Sequence, residues 1–235
     1  MKGTVFLLLA FSGVVGANPL CLTDTLANYQ ANYTNLATAC QVGDKLFYAF
    51  NYSVTTSPVS QVGPTNSQVT VTGDPSDPNE PGLIFSSTGW TVSGVSNSSF
   101  NISIDSNIRF TVSTIGLNPI IHDGSLTFAG TESVTGLGQA QIAETITPQG
   151  QASVGIGVDS NAGPFTSVGN FLPVATVAVS KDLVVRIPRV TGPFVASSAT
   201  ITSFREGFSE GVPEPTTFLL IGSGLAGAFF FRRRR

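Results

Sequence analysis

The single histidine of the chain marks the first place where the sequence offers catalytic chemistry. His122 stands in the run His122-Asp123-Gly124-Ser125, and a serine hydrolase needs a serine, a histidine and an acid assembled in space. The chain contains no G-x-S-x-G elbow. Asp-Gly is in addition a strong hairpin-turn pair. We therefore interpret the run as a turn and predict no catalytic residue.

Two carboxylates and three aromatic residues offer ways of engaging a polysaccharide. Glycoside hydrolysis needs two opposed carboxyl groups, and Glu132 and Glu144 both fall in or beside predicted strands. Nothing in the sequence pattern makes them face one another. Trp90, Phe100 and Tyr52 are the aromatic residues that a sugar-stacking surface would use, but large aromatics are rarely left exposed. The pattern favours core packing for these rings.

One acidic loop has the residue types of a calcium site. Asp74, Asp77, Asn79 and Glu80 lie among three prolines, and Ca²⁺ prefers oxygen ligands. The spacing is not that of an EF-hand, and prolines limit how the carboxylates converge. We interpret the loop as a solvated surface turn, predict no metal site, and keep calcium as the one cofactor that this loop could take.

The two cysteines predict one disulfide. Cys21 and Cys40 are the only cysteines, and in an oxidising exported setting two cysteines pair. A redox role is disfavoured because the chain has no C-x-x-C motif. One histidine and two cysteines are also too few for a zinc site built from imidazole and thiolate.

A short helix is predicted between the two cysteines. Leu26, Tyr29 and Tyr33 recur at i, i+3 and i+7, which is the spacing of one helix face. Thr23 or Asp24 would provide the N-cap, because their side-chain oxygens accept from free amide groups of the first turn.

The first residues have the order of a signal peptide. Lys2 precedes an apolar run, Val5–Phe11, and the small-x-small sequence Val15-Gly16-Ala17 follows. This order predicts a signal peptide over residues 1–17, cleaved between Ala17 and Asn18.

The last residues have the order of a membrane anchor. Val212-Pro213-Glu214-Pro215 precedes an apolar segment, Thr216–Phe231, and the chain ends with Arg232, Arg233, Arg234 and Arg235. As a helix this segment is about 24 Å long at ~1.5 Å per residue, shorter than the ~30 Å hydrocarbon core. Local bilayer thinning and snorkelling arginines can meet that mismatch. The arginines predict a cytoplasmic end, which leaves the body of the chain outside the inner membrane.

This C-terminal order resembles the PEP-CTERM sorting signal of bacterial envelope proteins. The resemblance rests on Val212-Pro213-Glu214-Pro215, the short apolar helix and the arginine cluster, and covers about the last 24 positions. It implies an exosortase, a membrane cysteine protease, as the partner that cuts near Pro213-Glu214-Pro215. The two prolines keep this segment extended, as a protease cleft requires.

Between the two ends the sequence predicts strands. Apolar residues alternate with polar ones in runs such as Phe100–Ile104, Ile108–Val112 and Val154–Val158, and Gly, Pro, Asn, Asp and Ser clusters separate the runs. We expect a mainly β fold over residues 18–208: an antiparallel β-sandwich, jelly-roll or immunoglobulin-like, with one short N-terminal helix. Residues 209–215 form the linker to the predicted transmembrane helix, 216–231.

The low charge agrees with such a domain and excludes one class of partner. Charged residues make up 11% of the chain, whereas soluble domains average roughly 25%. A sandwich tolerates so few charges because Ser, Thr and Asn can cover its outer faces. A net charge of −3 argues against nucleic-acid binding, which needs a basic face.

The predicted function is that of an exported envelope or extracellular-matrix protein without enzymatic activity. The inner membrane holds it through the C-terminal helix until an exosortase processes it. Two alternatives come from other classes: a carbohydrate-binding module of the matrix that binds extracellular polysaccharide, with or without calcium, and an extracellular hydrolase on a β-sandwich scaffold.

Overall fold

The computed structural model describes residues 18–97, 99–116, 120–161 and 163–210. The predicted signal peptide with Ala17, the motif Val212–Pro215, the transmembrane helix and the arginine cluster lie outside the described residues. Among the residues described, no helix is long and apolar enough to cross a bilayer.

The described chain is built almost entirely from strands. The helical elements are α1 (Leu26–Asn32) and two 3₁₀ turns, Leu36–Thr38 and Asn66–Gln68. The strands are β1 (Asp24–Thr25), β2 (Cys40–Val42), β3 (Lys45–Ser57), β4 (Thr70–Asp74), β5 (Gly82–Ser86), β6 (Thr91–Val95), β7 (Ile102–Thr114), β8 (Ile121–Phe128), β9 (Glu132–Thr135), β10 (Gln139–Pro148), β11 (Val154–Asp159), β12 (Thr166–Val174), β13 (Thr176–Ile187), β14 (Ala196–Ile201) and β15 (Ser203–Gly207).

The strands form two large sheets and one small one. The first sheet has the order β11-β10-β13-β7-β3-β2, the second β1-β4-β5-β15-β8-β12, and the small sheet β6-β14-β9. Neighbouring strands pair antiparallel throughout these orders. The predicted mainly β, antiparallel, sandwich-like fold with one short α-helix is confirmed.

Period-2 alternation explains how the two large sheets close on a core. Val177, Val179, Leu183, Val185 and Ile187 of β13 are all buried, because successive strand residues face opposite sides of a sheet. Aromatic rings join the two inner faces: the ring centroids of Phe85 and Phe110 are 5.7 Å apart, and those of Phe47 and Phe208 are 6.1 Å apart.

A bulge in β3 interrupts the regular alternation of that strand. The pairing with β7 shifts between Tyr48 and Asn51, and Ala49 adopts a φ of 59°. A regular strand would place Phe47 and Phe50 on opposite faces. The extra residue brings both into the core, at 0% and 6% exposure.

The N-terminal helix is confirmed, but its predicted cap is wrong. Thr25, not Thr23 or Asp24, is the N-cap, and its side chain accepts from the Asn28 amide at 3.3 Å. Asp24 instead accepts from Asn28 Nδ2 at 2.7 Å. Asp24 belongs to β1, where it pairs with Val71 of β4. The helix therefore begins only after this strand.

The predicted disulfide is confirmed. Cys21 and Cys40 are bonded, with their Cα atoms 4.9 Å apart. Gln41 donates its amide to Pro19 O at 2.8 Å, so the bond and the backbone together attach the segment after Asn18 to β2.

Candidate functional sites

Three charged side chains meet in the core between the two large sheets. Glu144 of β10 lies directly opposite Lys181 of β13 in the first sheet. Glu206 of β15 reaches them from the second sheet. Lys181 Nζ donates to Glu144 Oε2 and to Glu206 Oε2. We call these three residues the buried cluster.

The buried cluster is sealed from solvent. The side chains of Lys181, Glu144 and Glu206 are each 0% exposed. Lys181 Nζ lies 5.8 Å from the ring centroids of both Phe110 and Phe204. Charges in such surroundings are costly unless they are paired and hydrogen-bonded.

The pairing in this cluster is incomplete. Within the described part of the chain, the Oε1 atoms of Glu144 and Glu206 have no hydrogen-bond partner. Burial and the neighbouring Glu144 carboxyl raise the pKa of Glu206 well above its usual range, although Lys181 opposes the shift. Both causes favour the acid form of the Glu206 carboxyl.

Gly124 leaves room for this cluster and overturns our interpretation of the histidine run. His122, Asp123, Gly124 and Ser125 lie within β8, not in a turn. A Cβ atom at Gly124 would lie 2.6 Å from Ile146 Cδ1 and 3.4 Å from Glu206 Oε1. A glycine is therefore required here by close packing inside a strand. Because Asp-Gly is also a common turn pair, the sequence alone indicated a turn.

His122 and Asp123 contact Ser209 rather than Ser125. Ser209 Oγ lies 2.6 Å from Asp123 Oδ2, to which it donates, and 3.2 Å from His122 Nδ1. The Asp123 carboxylate also accepts from the Ser209 amide at 3.3 Å. The serine proton thus points to the acid, whereas a nucleophilic serine donates to the imidazole. This arrangement fastens Ser209 to β8.

Glu210, the residue after Ser209, is also bound to the folded domain. Glu210 pairs with Ile121 of β8, and its carboxylate lies 3.0 Å from Lys45 Nζ. Lys45 is fully buried and also binds Asp44 at 2.8 Å. Ser209 and Glu210, which the sequence places in the linker, are therefore bonded to the folded domain at the point where the C-terminal segment leaves it.

Glu132 and Glu144 do not face one another. Glu132 belongs to β9 of the small sheet, where it pairs with Ile201. Glu144 points into the core and binds Lys181. The carboxyl pair that sequence reasoning proposed for glycoside hydrolysis is not assembled.

An arginine occupies the middle of the acidic loop that holds Asp74, Asp77, Asn79 and Glu80. Arg205 Nε donates to Asp74 Oδ2 at 2.5 Å, and Nη1 lies 3.5 Å from Glu80 Oε1. Burial opposes the shift, but hydrogen bonds from Ser76 and Arg205 hold the pKa of Asp74 below its usual value. Asp77 accepts from the Asn79 amide at 2.9 Å. The guanidinium supplies the positive charge that a cation would bring.

No metal centre is assembled elsewhere in the described ranges, where no group of three or more His, Cys, Asp and Glu side chains is placed to hold an ion. Calcium therefore stays an untested alternative that this geometry does not favour.

The core interpretation is confirmed for Trp90 and wrong for Phe100, which is exposed. Trp90 is fully buried, and its Nε1 donates to Ser106 Oγ at 3.2 Å. Tyr52 donates to Pro64 O at 2.8 Å, and Phe100 is 42% exposed. These three rings do not form one exposed platform.

A shallow depression with mixed polar and apolar lining lies on the outer face of the first sheet. Its volume is about 260 Å³, and its polar lining comes from Arg109, Ser180 and threonines 111, 145 and 147. Hydroxyl groups of this kind donate and accept hydrogen bonds.

A second pair of carboxyls lies on the first sheet. Burial and the neighbouring Asp182 carboxyl raise the pKa of Asp105 to about 6. Asp105 of β7 pairs with Val184 of β13, so Asp182 is its diagonal neighbour.

Sequence reasoning missed the buried cluster, although the alternation contained a signal. Lys181 falls between Val179 and Leu183, Glu144 between Ile142 and Ile146, and Glu206 between Phe204 and Phe208. Each charge therefore stands at an inward position of its strand. The signal was overlooked because charged residues were treated as boundaries between apolar runs.

Comparison with known families identifies the C-terminal segment. Residues 211–235 match the family model of the PEP-CTERM protein-sorting motif, which confirms the resemblance seen in the sequence. A motif of this kind indicates an exported, membrane-associated protein of an exosortase-dependent pathway.

Comparison of the body is less informative. No curated protein matches the chain. Among solved structures, TmCBM61 in complex with β-1,4-galactotriose matches with a TM-score of 0.30 and 10% identity, over 66% of this chain and 86% of that one. A similarity of this size does not indicate what the present chain binds.

Proposed function

We propose that this chain is an exported envelope or extracellular-matrix protein without enzymatic activity. The inner membrane holds it through residues 216–231 until an exosortase cuts near Pro213-Glu214-Pro215. The observation that carries the proposal is the match of residues 211–235 to the PEP-CTERM protein-sorting motif.

The disulfide supports export. Disulfides persist in oxidising compartments and are rare in the cytosol of most cells. Cys21–Cys40 closes the N-terminal segment of the domain, just after the predicted cleavage site. The bond would therefore form after the signal peptide has carried the chain across the membrane.

The attachment of Ser209 and Glu210 supports processing close to the membrane. Gly211 and Val212 alone separate Glu210 from Pro213, and Glu210 is bound to Lys45. This short connection keeps the folded domain within a few residues of the bilayer. The exosortase would act on the short stretch between the folded domain and the predicted transmembrane helix.

Processing is tested by replacing the motif in a host that carries an exosortase. Pro213→Ala with Glu214→Ala should abolish removal of Thr216–Arg235, as read by mass spectrometry of the purified protein. The matched control, Pro78→Ala with Glu132→Ala, changes the same residue types within the body and should be processed like the wild type. If the wild-type protein keeps Thr216–Arg235 in this host, the proposal fails.

A second candidate function, polysaccharide binding, is favoured by the polar side chains that border the depression on the first sheet. Arg109 and its neighbouring threonines offer donors and acceptors to sugar hydroxyl groups. A glycan array of the detergent-solubilised full chain, with and without chelator, tests this candidate and its calcium dependence. If no glycan binds under either condition, polysaccharide binding is rejected.

A further inference from the structure

We propose that Lys181 and Glu206 join covalently in an intramolecular amide bond that ties the two sheets together, with Glu144 as the proton relay. The bond would be a self-catalysed modification, and it is independent of the sorting function. The evidence is the chemistry and burial of the buried cluster.

The cluster combines a nucleophile, an electrophile and a relay in one closed site. Lys181 Nζ contacts Glu144 Oε2 and Glu206 Oε2 together, and a positioned pair of this kind reacts as though at very high concentration. A lysine amine desolvated in a hydrophobic pocket is an established kind of protein nucleophile. Phe110 and Phe204 supply that pocket.

The positions of the two carboxyls assign their roles. Glu206 reaches Lys181 from the opposite sheet, so it is the carboxyl that would tie the two sheets together. A carboxyl can lose water to an amine only in its acid form, and burial together with Glu144 raises the pKa of Glu206, which favours that form. Glu144 faces Lys181 from the neighbouring strand, where its carboxylate can take a proton from the ammonium and return it.

The reaction balances without a co-reactant. The Lys181 ammonium first gives a proton to Glu144, which leaves three neutral groups and removes charge from a dry site. The amine then attacks Glu206 Cδ and forms the C–N bond. Glu144 protonates the Glu206 hydroxyl, the C–O bond breaks and water leaves. Glu144 finally takes the second proton from nitrogen and remains as a neutral acid.

The product accounts for a feature that the unlinked cluster leaves unexplained. Glu144 Oε1 and Glu206 Oε1 have no partner among the described residues, and unpaired buried polar oxygens are costly. After the reaction no charge remains, and the new amide carbonyl can accept from protonated Glu144. The link also joins β13 to β15, which belong to different sheets.

Peptide mass spectrometry of the purified full chain tests the proposal. Trypsin cannot cut after an acylated lysine, so a peptide of residues 110–186 should appear, joined to the peptide that carries Glu206, with a mass lower by one water than their sum. Separate peptides with a normal cut after Lys181 would overturn the proposal. A single 110–186 peptide that lacks one water would place the bond on Glu144 and overturn the assignment of Glu206.

Two variants check the chemistry. Lys181→Arg keeps the charge, removes the amine and should give only unlinked peptides. Glu144→Gln keeps the shape of the relay residue and should lose most of the linked product while Lys181 and Glu206 remain. Linkage in Glu144→Gln at the wild-type level would overturn the relay role. Neither variant is needed for the wild-type result, which stands even if a variant does not fold.

Discussion

Asp105 shows how a single carboxyl makes stability depend on pH. Its pKa of about 6 lies above the ordinary value of 3.8 because of burial and the neighbouring Asp182. The folded state therefore binds the proton more tightly than the unfolded state, and folding loses stability as pH rises from about 4 to about 6. Above this window the loss is complete.

We expect Asp105→Asn to stabilise the protein at pH 7.5 and to change little at pH 3.5. The gain should stay below about 1 kcal/mol, because solvent screens partly exposed charges. Urea denaturation at several pH values measures it. Asp182→Asn should give a smaller gain, since it removes the repulsion but leaves the buried Asp105 charge, and the double variant should gain no more than Asp105→Asn. An equal effect at both pH values would contradict this explanation.

At the scale of residues, the sequence predicts which side chains are buried better than it predicts which side chains contact one another. The sequence pattern favours the core for Trp90, and the ring is buried there. Its indole nitrogen donates a hydrogen bond to Ser106 Oγ, so the burial leaves no unpaired donor. Sequence reasoning paired Glu144 with Glu132, yet Glu144 binds Lys181. Strand alternation determines which face a side chain occupies, whereas its partners depend on strand order, which no local pattern contains.

The bulge in β3 is an element whose conformation can be tested with one residue. Ala49 has a left-handed φ of 59°, which costs a non-glycine residue roughly 1–2 kcal/mol. Ala49→Gly should raise the free energy of unfolding by up to about 1 kcal/mol, since the greater freedom of glycine in the unfolded chain offsets part of the relief.

The matched control is Ala143→Gly, an exposed alanine inside the regular strand β10. It should lower the free energy of unfolding by about 0.5–1 kcal/mol. Chemical denaturation of both variants provides the comparison. Changes of the same sign would show that the left-handed conformation at Ala49 carries no strain.

The disulfide fixes the N-terminal elements to the sandwich. Replacing Cys21 and Cys40 together by serine should lower the free energy of unfolding by roughly 3 kcal/mol, because the bond reduces the conformational entropy of the unfolded chain. Guanidinium denaturation measures the loss. Reduction of the wild-type protein is the control and should produce the same shift, while an unchanged midpoint in both would contradict the stabilising role.

At the scale of elements, the sequence predicted types better than boundaries. The helix after Cys21 was predicted, but its start moved to Leu26 because Asp24 and Thr25 pair with β4. The Asp123-Gly124 pair indicated a turn, and the core demanded a glycine in a strand instead. In both cases tertiary packing overrode a local preference.

The whole molecule separates its charges along the sequence. Residues 18–211 carry six basic residues against 13 acids, whereas the last four positions are all arginine. The body is therefore acidic and the C-terminal tip basic. In the proposed topology these regions lie on opposite sides of the inner membrane, and the positive end faces the cytoplasm.

This separation gives the arginines a measurable role in anchoring. The apolar segment 216–231 is about 24 Å long as a helix, short of the ~30 Å core, so we expect its attachment to depend on the tip. Basic residues near an anionic membrane surface contribute about 1 kcal/mol each. Changing Arg232–Arg235 to asparagine would then weaken anchoring by up to about 4 kcal/mol.

In a host without exosortase, the asparagine variant should move from the membrane to the soluble fraction by several-fold, as measured by fractionation and immunoblotting. The same four positions changed to lysine should remain in the membrane fraction, because lysine keeps the charge and also snorkels to the headgroups. If the asparagine variant stayed in the membrane fraction like the wild type, hydrophobic burial alone would hold the chain. The arginines would then contribute only to orientation or to recognition by the exosortase.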